Sequence, residues 1–207
     1  MKIELHWDVS QGSEEWIALH EGRLTASDAS KLITSSGKPS SQRNELLGRV
    51  VAETLGLQHT EIVPFSNVWM ERGLELEPEG RDWFCFQNNV EVNQIGFVSG
   101  RFIGCSPDGI VADDSGFHIP LEIKCPKPST HIKWLLNNKL PPEHMAQVHM
   151  QMALLEAPYG WFMSYHPQME PLLIKVEASV FTTRLLDELL TFQHDADLLI
   201  KKYGDTE

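Results

Sequence analysis

Cysteine is scarce in this chain. Cys85, Cys105 and Cys125 are odd in number and include no C-x-x-C pair, which argues against a disulfide framework and a structural zinc site. They also fall one short of the four thiolates that hold an iron–sulfur cluster, so all three are expected to be small buried residues. Long apolar runs are missing too. No stretch approaches the roughly 20 residues of a membrane span, and MKIELHWDVS at the amino terminus has no signal-peptide core, so a cytoplasmic protein is expected. Positive charge is in short supply: 17 Lys and Arg against 29 Asp and Glu leave a formal net charge of −12, the wrong sign for a surface that grips nucleic acid along its length. Binding follows the local field rather than the sum, however. Arg23, Arg101, Lys124, Lys127, Lys133 and Lys139 lie near the motifs described below and are the cations available to line one face, which the sequence does not show. Internal repeats and low-complexity segments are absent, and 42% hydrophobic with 22% charged residues is ordinary for a globular protein. One domain spanning residues 1–207 is expected.

What the chain does contain is a pair of short motifs with chemistry in them, GCSPDGI (Gly104 to Ile110) and LEIKCP (Leu121 to Pro126). In Ser-Pro-Asp-Gly, Pro107 fixes its own φ and restricts Ser106, while Gly109 permits a tight bend. A strand at Ile110 to Asp113, a turn at Asp113 to Gly116 and a second strand at Pro120 to Cys125 follow. Hairpin pairing of these strands brings Asp108 close to Glu122. Residues two apart on a strand share a face, so Glu122 and Lys124 point together while Leu121, Ile123 and Cys125 form an apolar core face. Mg²⁺ prefers a near-octahedral oxygen shell, usually one or two carboxylates completed by water and phosphate oxygens. A lysine beside it can orient the attacking water or stabilise charge gathering on a phosphate. The pair is thus the minimum kit for cutting a phosphodiester. Taken alone, Glu-x-Lys is also a common exposed sheet pair and Ser-Pro-Asp-Gly an ordinary turn.

The remaining pattern is α/β. Helices are expected over Ser13 to Glu21, from a cap at Thr25 or Ser27 to Ile33, and through Leu46, Leu47, Val50, Val51 and Leu55 to near Gly56. A loop from Thr34 to Ser41 separates the last two. A longer helix is expected from Ser66 to Gln87, interrupted at Pro78, where the missing N–H and the ring clash should kink it and turn Glu77 inward. Glu71, Glu75, Glu77 and Glu79 together also fit a solvated acidic face. Strands are expected at Val90 to Ser99 and Phe102 to Cys105, then a helix opened by Pro141 and Pro142 and running to Leu155. Trp161 to His166 and Leu172 to Val176 read as strands, and Ser179 to Lys202 as a closing helix. In the helix from Glu143, His144, Gln147 and Gln151 share a polar face opposite Met145, Val148, Met152 and Leu155. His144 and His149, five apart, do not share a face.

These residues resemble the core of the PD-(D/E)XK nuclease superfamily, and within it the lambda exonuclease family of YqaJ-type viral recombinases. GRLTAS (Gly22 to Ser27) after Trp16 resembles that family's N-terminal motif, GLELEPEGR (Gly73 to Arg81) its glutamate-bearing helix and HMAQVHMQM (His144 to Met152) its glutamine-bearing helix. With the Asp108 and Glu122-x-Lys124 pair, their order and spacing agree from about Asp8 to about Glu170. The resemblance implies a restriction-endonuclease-like core, a central mixed β-sheet flanked by helices. It further implies a metal-dependent 5′-to-3′ exonuclease on double-stranded DNA that releases mononucleotides and leaves a 3′ single strand. Mg²⁺, with Mn²⁺ as a substitute, would be held by Asp108, Glu122, Glu77 and the Ile123 carbonyl, with Glu75 the alternative to Glu77. Lys124 and Gln147 would position the attacking water. Ser27 and Ser106 match serines that bind a 5′-phosphate. The matching arginine's place is taken by His20, which implies weaker phosphate dependence at alkaline pH. Arg23, one turn on if the first helix continues, is a substitute, and His144 and Lys127 are further candidate DNA contacts. In the lambda enzyme a tyrosine occupies the position matching His144. A homotrimeric ring threaded by DNA, a single-strand annealing recombinase as partner, and a phage or prophage origin in a bacterial host complete the expectation. An endonuclease or nickase of the same fold, or a DNA-binding module with a decayed site, are the alternatives.

Overall fold

Short alternating segments fold into two mixed sheets in a computed structural model, which describes residues 1–57, 68–113 and 115–204. In one sheet, β1 (Glu4–His6), β2 (Leu24–Thr25), β4 (Phe97–Ser99) and β5 (Ile103–Cys105) lie in the order β1-β4-β5-β2. The other is central to the site: β3 (Val92–Asn93), β6 (Gly109–Ala112), β7 (His118–Lys124), β8 (Tyr159–Ser164) and β9 (Leu172–Glu177), ordered β3-β6-β7-β8-β9. Only the β7–β8 pair in this sheet is parallel. The single strand expected from Val90 to Ser99 is divided between the two sheets, β3 pairing with β6 and β4 with β1 and β5. Gly96 explains the division, because a Cβ there would fall 2.0 Å from the Val9 carbonyl oxygen. The chain crosses there against another backbone, an approach open to glycine alone.

Helix starts follow local chemistry. The Ser13 hydroxyl accepts the Trp16 N–H at 3.2 Å and opens α1 (Glu14–His20). Ala26–Lys31 forms a 3₁₀ segment rather than the expected α-helix to Ile33. Its Ser27, Asp28 and Ser30 are residues whose side chains compete for backbone groups. Then come α2 (Arg43–Thr54) and α3 (Val68–Asn88). The latter runs through Pro78 without the expected interruption. Pro78 withholds a hydrogen bond from the Leu74 carbonyl, but Leu74 is exposed and water can serve that oxygen. The expected start at Ser66 lies outside the described residues, as does the side chain of Glu71. Next is α4 (Pro128–Asn137), which the sequence pattern did not indicate; it has Pro128 in its first turn and Asn138 left-handed (φ 45°) at its end. Pro142 opens α5 (Pro142–Leu154) as expected, and α6 (Val180–Gly204) closes the chain. Among the described residues no helix is long and apolar enough to cross a membrane.

Two apolar bodies result, with α5 between them. One gathers Leu24, Leu32, Val50, Ile103, Leu185 and Phe192 from the first sheet, α2 and α6, and takes Ala146, Met150 and Leu154 of α5. The other gathers Ile119, Leu121, Ile123, Phe162 and Phe84 around the five-stranded sheet, and takes Val148 and Met152. α5 is therefore buried on more of its circumference than a one-sided polar face allows, with His149 and Gln151 buried as well. Cys105 and Cys125 are buried as expected; Cys85 is only half-buried.

Candidate active site

The β6–β7 hairpin sets the first two acids. Gly109 pairs with Leu121 in an antiparallel register, so the next position back places Asp108 opposite Glu122. Asp108 Oδ2 accepts the Ile123 N–H at 2.6 Å. Glu122 and Lys124 share one face and form an ion pair, while Leu121, Ile123 and Cys125 enter the core on the other. The turn carrying Asp108 is held from three directions. Gln11 donates to the Pro107 carbonyl, Arg81 Nε to the Asp108 carbonyl at 3.0 Å, and Ser106 Oγ to the Gly96 carbonyl at 2.7 Å.

Glu122 is 1% exposed. Its two oxygens accept amide hydrogens from successive turns of α5: Oε1 from Gln147 and Oε2 from Gln151, each at 2.5 Å. The helical pattern placed Gln151 on the polar face without a role. Its signal was a second glutamine one turn after Gln147, flanked by Met150 and Met152.

Glu77 reaches the same pocket from α3, which also has Asp108, Glu122, Lys124, Gln147 and Gln151 in its lining; Glu75 is exposed instead. Gly80, one turn on, allows the close approach, since a Cβ there would stand 3.2 Å from Met163 and Tyr165. Glu79 accepts the Tyr165 hydroxyl hydrogen at 2.6 Å and pins α3 to the end of β8. Burial, then the neighbouring Glu122, holds the Asp108 carboxyl well above the usual carboxylate range, with Glu77 adding to the effect and Lys124 opposing it. Glu77 is raised chiefly by burial, and Lys124 offsets part of that. Burial works against the Lys124 ammonium, but Glu122, Asp108 and Glu77 outweigh it and keep the proton bound more tightly than usual. Burial also pushes the Cys125 thiol up to about 12, so it is inert as a nucleophile.

The rest of the lining is largely uncharged and includes Trp16, His20, Thr25, Ser27 and Ser106. Trp16 Nε1 donates to the Gly96 carbonyl at 3.1 Å and to Ser106 Oγ at 2.9 Å, and the Ser106 proton goes to Gly96. Ser27 Oγ lies 2.9 Å from Thr25 Oγ1. His20 Nδ1 lies 2.7 Å from the Trp16 carbonyl oxygen. A carbonyl only accepts, so Nδ1 carries the hydrogen and Nε2 of the neutral ring is an acceptor. Burial lowers the His20 pKa and Arg23 adds to that.

Other expected contacts lie elsewhere. α1 stops at His20, and Arg23 turns away to the carbonyls of Leu19 and Gly100, so it does not join the pocket. Lys127 is exposed at the start of α4 and outside the pocket lining. His144 touches the site through Gln147, its Nδ1 3.4 Å from Oε1, while its ring stacks on Phe162. Arg101 pairs with Asp197, and Lys133 and Lys139 flank a groove beside Trp134, so the cations do not share one face.

The donor chemistry fits a hard divalent cation, because half-buried carboxylates with raised pKa values share one pocket with a single lysine. Glu122 is turned to Gln147, Gln151 and Lys124. Among the described residues no group of three or more His, Cys, Asp or Glu side chains is arranged to hold a metal ion. Mg²⁺ does not demand one, since water and substrate oxygens fill much of its shell.

Among solved structures, the alkaline exonuclease LHK-Exo from Laribacter hongkongensis is 25% identical with a TM-score of 0.73, over 94% of this chain and 100% of that one. LHK-Exo in complex with dAMP gives 26% and 0.71 over the same shares. A phage-related exonuclease from Haemophilus somnus, 13% identical over 89% of this chain and 98% of that one with a TM-score of 0.59, shares the fold. No curated protein matches the sequence. The mixed α/β class expected from the sequence, a restriction-endonuclease-like core with helices on its sheets, is the one these exonucleases share. A family model of the YqaJ-like viral recombinase domain matches residues 15–157, from α1 through the end of α5, and the chain belongs to that family.

Proposed function

We propose that this chain is a metal-dependent exonuclease that digests the 5′-ended strand of linear double-stranded DNA to mononucleotides, leaving a 3′ overhang for recombination by strand annealing. The family and the likeness to an alkaline exonuclease support a nuclease. The observation that carries the catalytic reading is the single pocket that gathers Asp108, Glu122, Glu77, Lys124 and Gln147.

In this reading Asp108, Glu122, Glu77 and the Ile123 carbonyl would hold Mg²⁺, or Mn²⁺ in its place. The bound ion would make a water more acidic and neutralise phosphate charge. Lys124, kept cationic by its carboxylates, donates to the oxygen on which charge develops. Gln147 orients the attacking water with a neutral amide, adding no charge to a crowded site. The water oxygen bonds to phosphorus, the bond from phosphorus to the departing sugar oxygen breaks, and that oxygen takes up a proton. His20, Ser27 and Ser106, in the uncharged part of the lining, receive the strand end.

The 207 residues act as one domain in this reading. A homotrimeric ring around DNA reconciles a charge of −12 with long residence on a polyanion, because retention becomes topological. Exposed Phe86 and Leu136 supply apolar surface for such assembly to bury. A single-strand annealing recombinase is the proposed partner, and the cytoplasm of a bacterium carrying a phage or prophage the proposed setting.

Incubation of a 5′-phosphorylated linear duplex beside a covalently closed circle tests the reading. Mg²⁺-dependent loss of the linear DNA alone is expected, and loss of the circle would identify an endonuclease instead. Unchanged hydrolysis by both Asp108→Ala and Lys124→Ala would overturn the site.

A further inference from the structure

Glu122 sits in the middle of β7 with Lys124 two residues along on the same face. The Lys124 side chain is 31% exposed. Left alone with that ammonium, the carboxylate would turn both oxygens toward it. The two glutamines of α5 oppose this, since each donates to a different oxygen of Glu122. A carboxylate only accepts, so each amide must present Nε2 to Glu122 and direct Oε1 elsewhere. For Gln147, Oε1 meets His144. For Gln151, Oε1 is buried and finds no partner among the described residues. An amide with one end unsatisfied is a poor choice for packing alone, above all between Met150 and Met152 in the buried part of α5, where an apolar side chain would pack without that penalty.

We propose that Gln151 is a positioning residue whose amide, working with that of Gln147, holds the Glu122 carboxylate turned toward the pocket so that a divalent cation can use it. This rests on the nuclease reading above. Gln151 acts through Glu122 and does not itself touch the reacting atoms. Its effect therefore falls on metal affinity and turnover and spares affinity for DNA.

The test uses the full chain with Gln151→Met, close in volume, and Gln151→Glu, close in shape but without the amide donor. Mn²⁺ binding in the absence of DNA is followed by electron paramagnetic resonance, and kcat and KM are measured with linear duplex in Mg²⁺. For both variants Mn²⁺ affinity and kcat are expected to fall about tenfold or more, as when the support behind a metal ligand is removed, with KM for DNA within about twofold. Mn²⁺ binding equal to wild type in Gln151→Met, whatever its rate, overturns the proposal. So does wild-type behaviour of Gln151→Glu. If Gln151→Met does not fold, Gln151→Glu carries both readouts. Failure of the underlying nuclease reading is separate, because it appears in the wild-type chain as absence of divalent-dependent hydrolysis.

Discussion

The two walls of the pocket differ in kind. One, from the β6–β7 hairpin and α3, brings three carboxylates and one lysine to the pocket, and burial raises the pKa values of Asp108 and Glu77. The other, from α1, the 3₁₀ segment and the first sheet, offers rings and hydroxyls that already bond to one another or to nearby carbonyls. Electrostatic strain is concentrated where bond making is proposed. The other part of the lining is uncharged, in keeping with the strand-end contact proposed for it.

The largest test sets the walls against each other. Asp108→Ala or Lys124→Ala is expected to lower kcat by about 10³-fold or more, against less than about tenfold for His20→Ala. Steady-state digestion of linear duplex measures both, and a His20→Ala loss as deep as Asp108→Ala would erase the distinction. Next is Gly80→Ala. A methyl pressing on Met163 and Tyr165 at 3.2 Å should lift α3 and draw Glu77 back, costing up to about 10²-fold in rate for a displacement on the order of 1 Å.

The charged wall also predicts a pH dependence. Asp108 and Glu77 bind protons more tightly folded than unfolded, so the metal-free chain is most stable at low pH within this balance. That stability is lost as pH rises from the ordinary carboxylate value through the raised ones, at up to about 1.4 kcal/mol per pH unit for each group. Urea titrations across pH should show this slope flattened in Asp108→Asn. An unchanged slope would show that Asp108 is not strained. The smallest effect belongs to the neutral wall. Trp16→Phe forfeits the Nε1 bonds to Gly96 and Ser106 and is expected to cost about 1 kcal/mol in the same titration, with no pH dependence of its own.

The strand period made Glu122 and Lys124 readable as one face, and the Ser-Pro-Asp-Gly turn placed Asp108 opposite, because both depend on local geometry. Pro142 likewise marked the start of α5. The division at Gly96 was hidden because it depends on Val9, distant in sequence. Continuity of α3 through Pro78 is also a tertiary outcome: Gly80 and the Glu79–Tyr165 bond hold the helix on the sheet on the far side of the proline. Arg23 looked available because spacing does not record which carbonyls claim a guanidinium. Gln151 looked superficial because one helical wheel cannot show two cores closing on it.

The placement of α5 ties the site to the closing helix. At one point on the helix Gln147 and Gln151 grip Glu122; at another, His149 Nδ1 lies 2.8 Å from Thr182 Oγ1 on α6. Burial pushes His149 down to about 4, so this coupling keeps its neutral form through the neutral range. The same helix, Pro142–Leu154, therefore carries both the contact to α6 and the two amides that hold the carboxylate of the site.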